Sequence, residues 1–100
     1  MLTILNVNKL NQYAFDKHWL ADSISETENW YHFVLVRKNP LTGKIDDVRK
    51  LSLNRVAKSG GEYSFRLDNK RIGYAVTLDY IKDINNLVNK FTEIMGGLQR

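Results

Sequence analysis

The clearest pattern of apolar and polar residues lies between Glu62 and Thr77. Apolar side chains occupy every second position on either side of the tetrapeptide 68–71: Tyr63, Phe65, Leu67, Ile72, Tyr74 and Val76. A period of two is typical of a β-strand with one buried face. The pattern therefore predicts an antiparallel hairpin that turns over residues 68–71.

The spacing changes after Thr77 from two to three or four residues. The apolar positions now form one stripe: Leu78, Ile81, Ile84, Leu87, Val88, Phe91, Ile94 and Met95. This spacing predicts an amphipathic helix. Thr77 is a suitable N-cap, and Gly96–Gly97 suits the end of the helix because glycine adopts the left-handed conformation easily.

Strand-forming residues dominate the segment Trp30–Lys38, which is rich in aromatic and β-branched side chains. Both faces are apolar, so we expect a central strand that is covered on each side. The segment Asn39–Gly43 predicts a turn, because Pro40 presets φ, the Asn39 side chain can bond back to the backbone, and Gly43 accepts positive φ.

The remaining segments have weaker patterns. Residues 44–58 fit a strand or a helix, and we favour a strand because a hairpin turn precedes them. Residues 2–7 suit a short strand. Residues 9–22 suit a helix in which Phe15 and Trp19 form an i, i+4 pair, and 23–29 suit a loop.

These elements predict an α+β fold. We expect an antiparallel sheet of about four strands, packed against a C-terminal amphipathic helix and accompanied by an N-terminal helix. A chain of 100 residues has room for one core, so residues 1–100 should form a single domain.

Composition and motifs exclude several classes of function. The chain has no cysteine, which removes disulfides, thiolate metal sites and a cysteine nucleophile. No apolar run is long enough for a signal peptide or a membrane span, so we expect a cytoplasmic protein without a membrane partner. His18 and His32, with scattered carboxylates, do not make a metal motif. No catalytic or cofactor motif is present, and we expect neither enzymatic activity nor a cofactor.

Charge is distributed unevenly along the chain. The net charge is +4, but residues 37–71 contain ten basic and four acidic residues. A positive surface attracts polyanions or an acidic protein. The basic residues that we expect on the sheet and its turns are Arg37, Lys38, Arg49, Lys50, Arg66, Lys70 and Arg71.

The aromatic side chains on the predicted strands have two interpretations. On an open face beside arginines they would stack on unpaired bases. The alternation instead favours a place in the core for most of them. Trp19, Trp30 and Tyr31 are the aromatics that we expect to be exposed, where they would contact a protein partner.

Two functions follow from these features. The first is a small non-enzymatic basic protein that binds nucleic acid phosphates through the sheet and its turns. The alternative is an inhibitor or adaptor from a phage or mobile element, which binds an acidic surface of a host protein. A homodimer would form through an unpaired strand edge or an apolar helix stripe.

Overall fold

One antiparallel sheet of six strands dominates the computed structural model, which describes residues 1–4, 6–15 and 19–97. Neighbours in the sheet are also neighbours in the chain. The strands are β1 (Ala14–Phe15), β2 (Trp19–Glu26), β3 (Trp30–Lys38), β4 (Ile45–Asn54), β5 (Glu62–Leu67) and β6 (Lys70–Thr77). The α+β class with a C-terminal helix is confirmed, but the sheet has six strands instead of about four and is curled into a half-barrel.

The hairpin of β5 and β6 confirms the alternation, with a tighter turn than expected. The turn consists of Asp68 and Asn69, whose φ angles are 51° and 67°. A two-residue turn of this type needs positive φ at both positions, and these residue types tolerate it well. Lys70 and Arg71 therefore belong to β6, where they pair with Leu67 and Arg66.

The hairpin of β3 and β4 confirms a strand within residues 44–58. The two strands pair from Trp30 opposite Asn54 to Arg37 opposite Asp47. The turn has the expected chemistry, because the Asn39 side chain accepts a hydrogen bond from the backbone N–H of Leu41 at 2.8 Å.

The predicted helix over residues 9–22 is wrong. Within the described residues, a 3₁₀ helix (Val7–Gln12) is followed by β1 and β2. Phe15 and Trp19 do meet, but as directly opposed residues of β1 and β2. A spacing of four residues fits both a helical turn and this short connection, so the spacing alone does not distinguish them. Residues 23–26 belong to β2, and residues 2–4 form no strand.

The C-terminal helix is interrupted once. Helix α1 (Leu78–Ile81) has Thr77 as its N-cap, whose hydroxyl accepts a hydrogen bond from the backbone N–H of Tyr80. Helix α2 (Ile84–Gly96) begins at Asp83, whose carboxylate accepts from the N–H of Asn85 at 2.9 Å. Each start satisfies a backbone donor that a helix would otherwise leave unpaired.

Helix α2 packs on one face of the sheet and forms the core with it. Phe91 lies at the centre and meets three phenylalanine rings edge-on. The distances between ring centroids are 4.7 Å to Phe33, 5.2 Å to Phe15 and 5.9 Å to Phe65. We call this face of the sheet the inner face, and the opposite one the outer face.

Arg55 attaches the N-terminal segment to the sheet. Its guanidinium donates hydrogen bonds to the backbone carbonyls of Leu2 at 3.0 Å and Thr27 at 2.7 Å. It also pairs with Glu26 at 2.7 Å and lies 4.8 Å from the centre of the Tyr31 ring. Since Arg55 is only 8% exposed, these contacts replace water around a buried charge.

Candidate functional site

The outer face of the sheet brings together the polar, basic and aromatic residues that the inner face excludes. Alternation along β3 directs Trp30 and His32 to the outer face, because Tyr31 and Phe33 are buried on the inner one. Helix α2 contacts the inner face of β3 through Phe91 and Phe33, whereas Trp30 and His32 on the outer face are only half-buried, so β3 is covered less on its outer face than expected.

Register places five outer residues in one row across the sheet. Ser25 lies opposite His32, and His32 lies opposite Ser52. Ser52 in turn lies opposite Arg66, and Arg66 opposite Arg71. Adjacent strands are about 4.8 Å apart, so the four steps of the row span roughly 19 Å.

Four side chains of this region contact one another, and we call Trp30, His32, Ser52 and Arg66 the Trp30 cluster. The Arg66 guanidinium lies over the Trp30 ring, 4.6 Å from its centre. The rings of Trp30 and His32 are nearly parallel, at an angle of 19° and a centroid distance of 6.3 Å. His32 Nδ1 and Ser52 Oγ form a hydrogen bond of 2.8 Å.

Packing within the Trp30 cluster buries the smaller polar groups. Ser52, on β4, is 2% exposed. Ser64, which is on the outer face of β5 and outside the cluster, is 7% exposed. Trp30 and His32 are half-buried, so parts of their rings remain accessible. The cluster therefore presents ring surface and a guanidinium above a closed layer of small side chains.

Histidine 32 is disposed to remain neutral. Burial lowers the pKa of His32 below its ordinary value, and the positive charge of Lys50 lowers it further. A neutral imidazole can both donate and accept a hydrogen bond, which suits its contact with the Ser52 hydroxyl.

The seven basic residues predicted from the sequence divide between the two faces. Arg37 lies with its guanidinium 5.5 Å from the centre of the inner-face Trp19 ring. Arg49 forms an ion pair with Asp68, and Lys70 lies opposite the buried Leu67 at the end of the hairpin. The other four follow the outer alternation of their strands: Lys38, Lys50, Arg66 and Arg71.

Arg66 and Arg71 form a cross-strand pair of like charge on the outer face. Both are exposed, and neither forms an ion pair with any residue that the structure describes. Like charges directly opposite each other in a sheet destabilise it. A bound anion would remove this repulsion.

The predicted exposure of Trp19 and Tyr31 is corrected by the structure. Each is 1% exposed, because each points inward from its strand and belongs to the core. Trp30, one residue before Tyr31, is the aromatic that reaches the outer face. Period two in β3 already separates Trp30 from Tyr31, but only the register brings Ser52 and Arg66 close to Trp30 and His32.

Other chemistry on this surface is limited. Ser52 and His32 are at hydrogen-bond distance, as in a nucleophile and its base, but the burial of Ser52 keeps substrate from its hydroxyl. In residues 1–4, 6–15 and 19–97, no three His, Asp or Glu side chains are grouped to hold a metal. His18 and Asp16 lie outside the described residues.

A groove of about 730 Å³ lies elsewhere, between the N-terminal segment and α1. Leu2, Ile4, Leu78 and Ile81 contribute to its mostly apolar wall. The groove is therefore mostly apolar, whereas the outer face carries polar and basic side chains. None of the helices in the described part of the chain is long and apolar enough to cross a membrane.

Comparisons of the chain with protein-family models, with curated proteins and with solved structures found no match.

Proposed function

We propose that the outer face binds the phosphate backbone of a nucleic acid. The observation that carries the proposal is the opposed pair Arg66 and Arg71, which has no carboxylate partner among the described residues. A guanidinium presents a planar fork of donors that matches phosphate oxygens. Two such residues on neighbouring strands, with Lys50 on the same face, favour a ligand with several negative charges.

The arrangement favours a polyanion over a single small anion. The outer residues Lys50, Arg66 and Arg71 lie on three consecutive strands, so their backbones span about 10 Å. Glu62 is the acidic residue among the outer positions of β5 and β6, and it lies at the other end of β5 from Arg66. A chain of phosphates can contact all three cations at once, and counterion release would supply most of the affinity.

The test is a binding titration with labelled oligonucleotides at about 50 mM salt, repeated at rising salt. We expect affinity to fall steeply with salt. Arg71→Gln should weaken binding and make the salt slope shallower by roughly one contact, about 0.7 to 0.9. Lys82→Gln is the matched control, because it removes the same charge from an exposed residue between α1 and α2 that is paired with Asp79. Equal effects of the two substitutions, or no binding at low salt, would contradict the proposal.

A second candidate function is docking on a protein, and the observation that favours it is an apolar extension of the outer face. Leu20, Val36 and Val48 lie side by side on β2, β3 and β4. Val48 is 54% exposed and nearby Ile45 is 51% exposed. Val48→Ser, which removes the apolar side chain without adding charge beside Lys50, should weaken capture of a protein partner from nuclease-treated lysate but leave oligonucleotide affinity unchanged.

A further inference from the structure

The inference concerns which nucleic acid the outer face takes, and it rests on the proposed function. We propose that the ligand is single-stranded and that one of its unpaired bases stacks on the indole of Trp30.

The Trp30 ring already accepts a flat group on its face. The guanidinium of Arg66 lies 4.6 Å from the ring centre, and a guanidinium is planar, as a nucleobase is. Arg66 is exposed and forms no ion pair with a described residue, so it is not tied to this position by a carboxylate. A base can therefore replace the guanidinium over the indole, and the guanidinium can turn to a phosphate.

The surroundings of the ring support stacking over edge recognition. Ser52 is small and buried beneath the cluster and hydrogen-bonds to His32, so it does not rise beside the ring. The imidazole of His32 is nearly parallel to the indole and adds a second ring on the outer face of the sheet. Aromatic and guanidinium planes next to basic side chains are the usual means of binding unpaired bases.

Duplex nucleic acid cannot use this feature. Its bases are stacked on one another inside the helix, so a protein ring on an open sheet meets only the backbone and the base edges. A duplex would therefore contact Lys50, Arg66 and Arg71 but would gain nothing from Trp30. The prediction is a preference for single strands that depends on the indole.

The experiment compares a single-stranded oligothymidylate of about twelve nucleotides with a duplex of the same length, at about 50 mM salt. The wild-type protein should bind the single strand more tightly. Trp30→Leu should weaken single-strand binding about tenfold and change duplex binding less than about twofold, because only stacking is lost. Trp30→Phe keeps an aromatic ring and should stay close to wild type. Far-UV circular dichroism verifies that each variant is folded.

Intrinsic fluorescence gives a second readout. The chain has two tryptophans, and Trp19 is 1% exposed in the core. Quenching by the oligothymidylate in the wild type should therefore disappear in Trp30→Phe, although the variant still binds.

The outcomes separate the inference from the function on which it rests. If Trp30→Leu binds the single strand as tightly as the wild type, or if the duplex is preferred, the stacking inference is overturned and phosphate binding stands. If neither probe binds, the proposed function is overturned, and the inference with it.

Discussion

Replacing Arg71 with glutamine should make the protein more stable while it weakens binding. Arg66 and Arg71 lie directly opposite each other in β5 and β6, and both are exposed. Like charges in this position cost roughly 0.2 to 1 kcal/mol. The Arg66 guanidinium lies over Trp30, away from β6, and water screens exposed groups, so we take the lower half of that range. The free energy of unfolding should therefore rise by about 0.4 kcal/mol.

The salt dependence of the stability gain tests whether charge repulsion causes it. Opposed cross-strand side chains start about 5 Å apart at Cβ, which is within the screening length of about 10 Å at 0.1 M salt. At 1 M salt the screening length falls to about 3 Å, and the repulsion between the two guanidinium groups should vanish. The stability difference between Arg71→Gln and the wild type should vanish with it.

The assay is unfolding by urea and by heat, followed by circular dichroism, at low and at high salt. A gain of about 0.4 kcal/mol corresponds to a rise in melting temperature of roughly 2 to 3 °C for a chain of this size. Lys82→Gln is the control and should leave stability nearly unchanged, since Lys82 and Asp79 form an exposed pair. A loss of stability in Arg71→Gln, or a gain that persists at 1 M salt, would refute the reasoning.

If Arg71 belongs to a binding surface, its substitution should raise the stability of the protein and lower its affinity for the ligand. Arginines that serve only solubility should show the first effect without the second. The two measurements on Arg71→Gln together therefore distinguish a ligand site from a solvated charged face.

Three further predictions concern the core and His32. Arg55→Met should lower the free energy of unfolding by about 3 kcal/mol in urea titrations, because the buried Leu2 carbonyl and the partly buried Thr27 carbonyl lose a charged donor. Phe91→Ala should lower it by about 3 to 5 kcal/mol, because a cavity opens among three rings. The pKa of His32 is lowered in the folded protein, so the unfolded chain binds more protons at this residue. The contribution of His32 to stability is therefore complete above pH 6.5 and should fall as the pH drops from that value toward the folded pKa. His32→Gln should lack this part of the pH dependence.

Each of these has a contrary result. An Arg55→Met variant within about 1 kcal/mol of wild type would mean that the N-terminal segment is held by other contacts. A Phe91→Ala loss below about 2 kcal/mol would place the ring outside the centre of the core. Equal pH dependence in wild type and His32→Gln would assign the effect to another group.

The residue pattern predicts much of the second half of the chain. Period two in β5 and β6, the asparagine and glycine of the β3–β4 turn, and the Thr77 cap each act over a few neighbouring residues. Such effects do not need the rest of the fold, so they are visible in the sequence. The bounds of β3, Trp30–Lys38, were predicted to the residue for the same reason.

The first half shows where local patterns fail. Phe15 and Trp19 meet across two strands instead of along a helix, and both encounters fit a spacing of four residues. Contact with α2, some seventy residues later, selects between them, because the Phe15 ring packs against Phe91. No local propensity contains that information.

Sequence alone therefore determined which side chains alternate on β5 and β6, that a turn separates these two strands, and that basic residues are concentrated within 37–71. Tertiary structure decided which of those residues share a surface. It separated Arg37 and Arg49 from Lys50, Arg66 and Arg71, and it placed Arg66 over Trp30. The physical reason is that alternation sets the face of a side chain within its own strand, whereas its neighbours across the sheet depend on register, which turns and bulges set together.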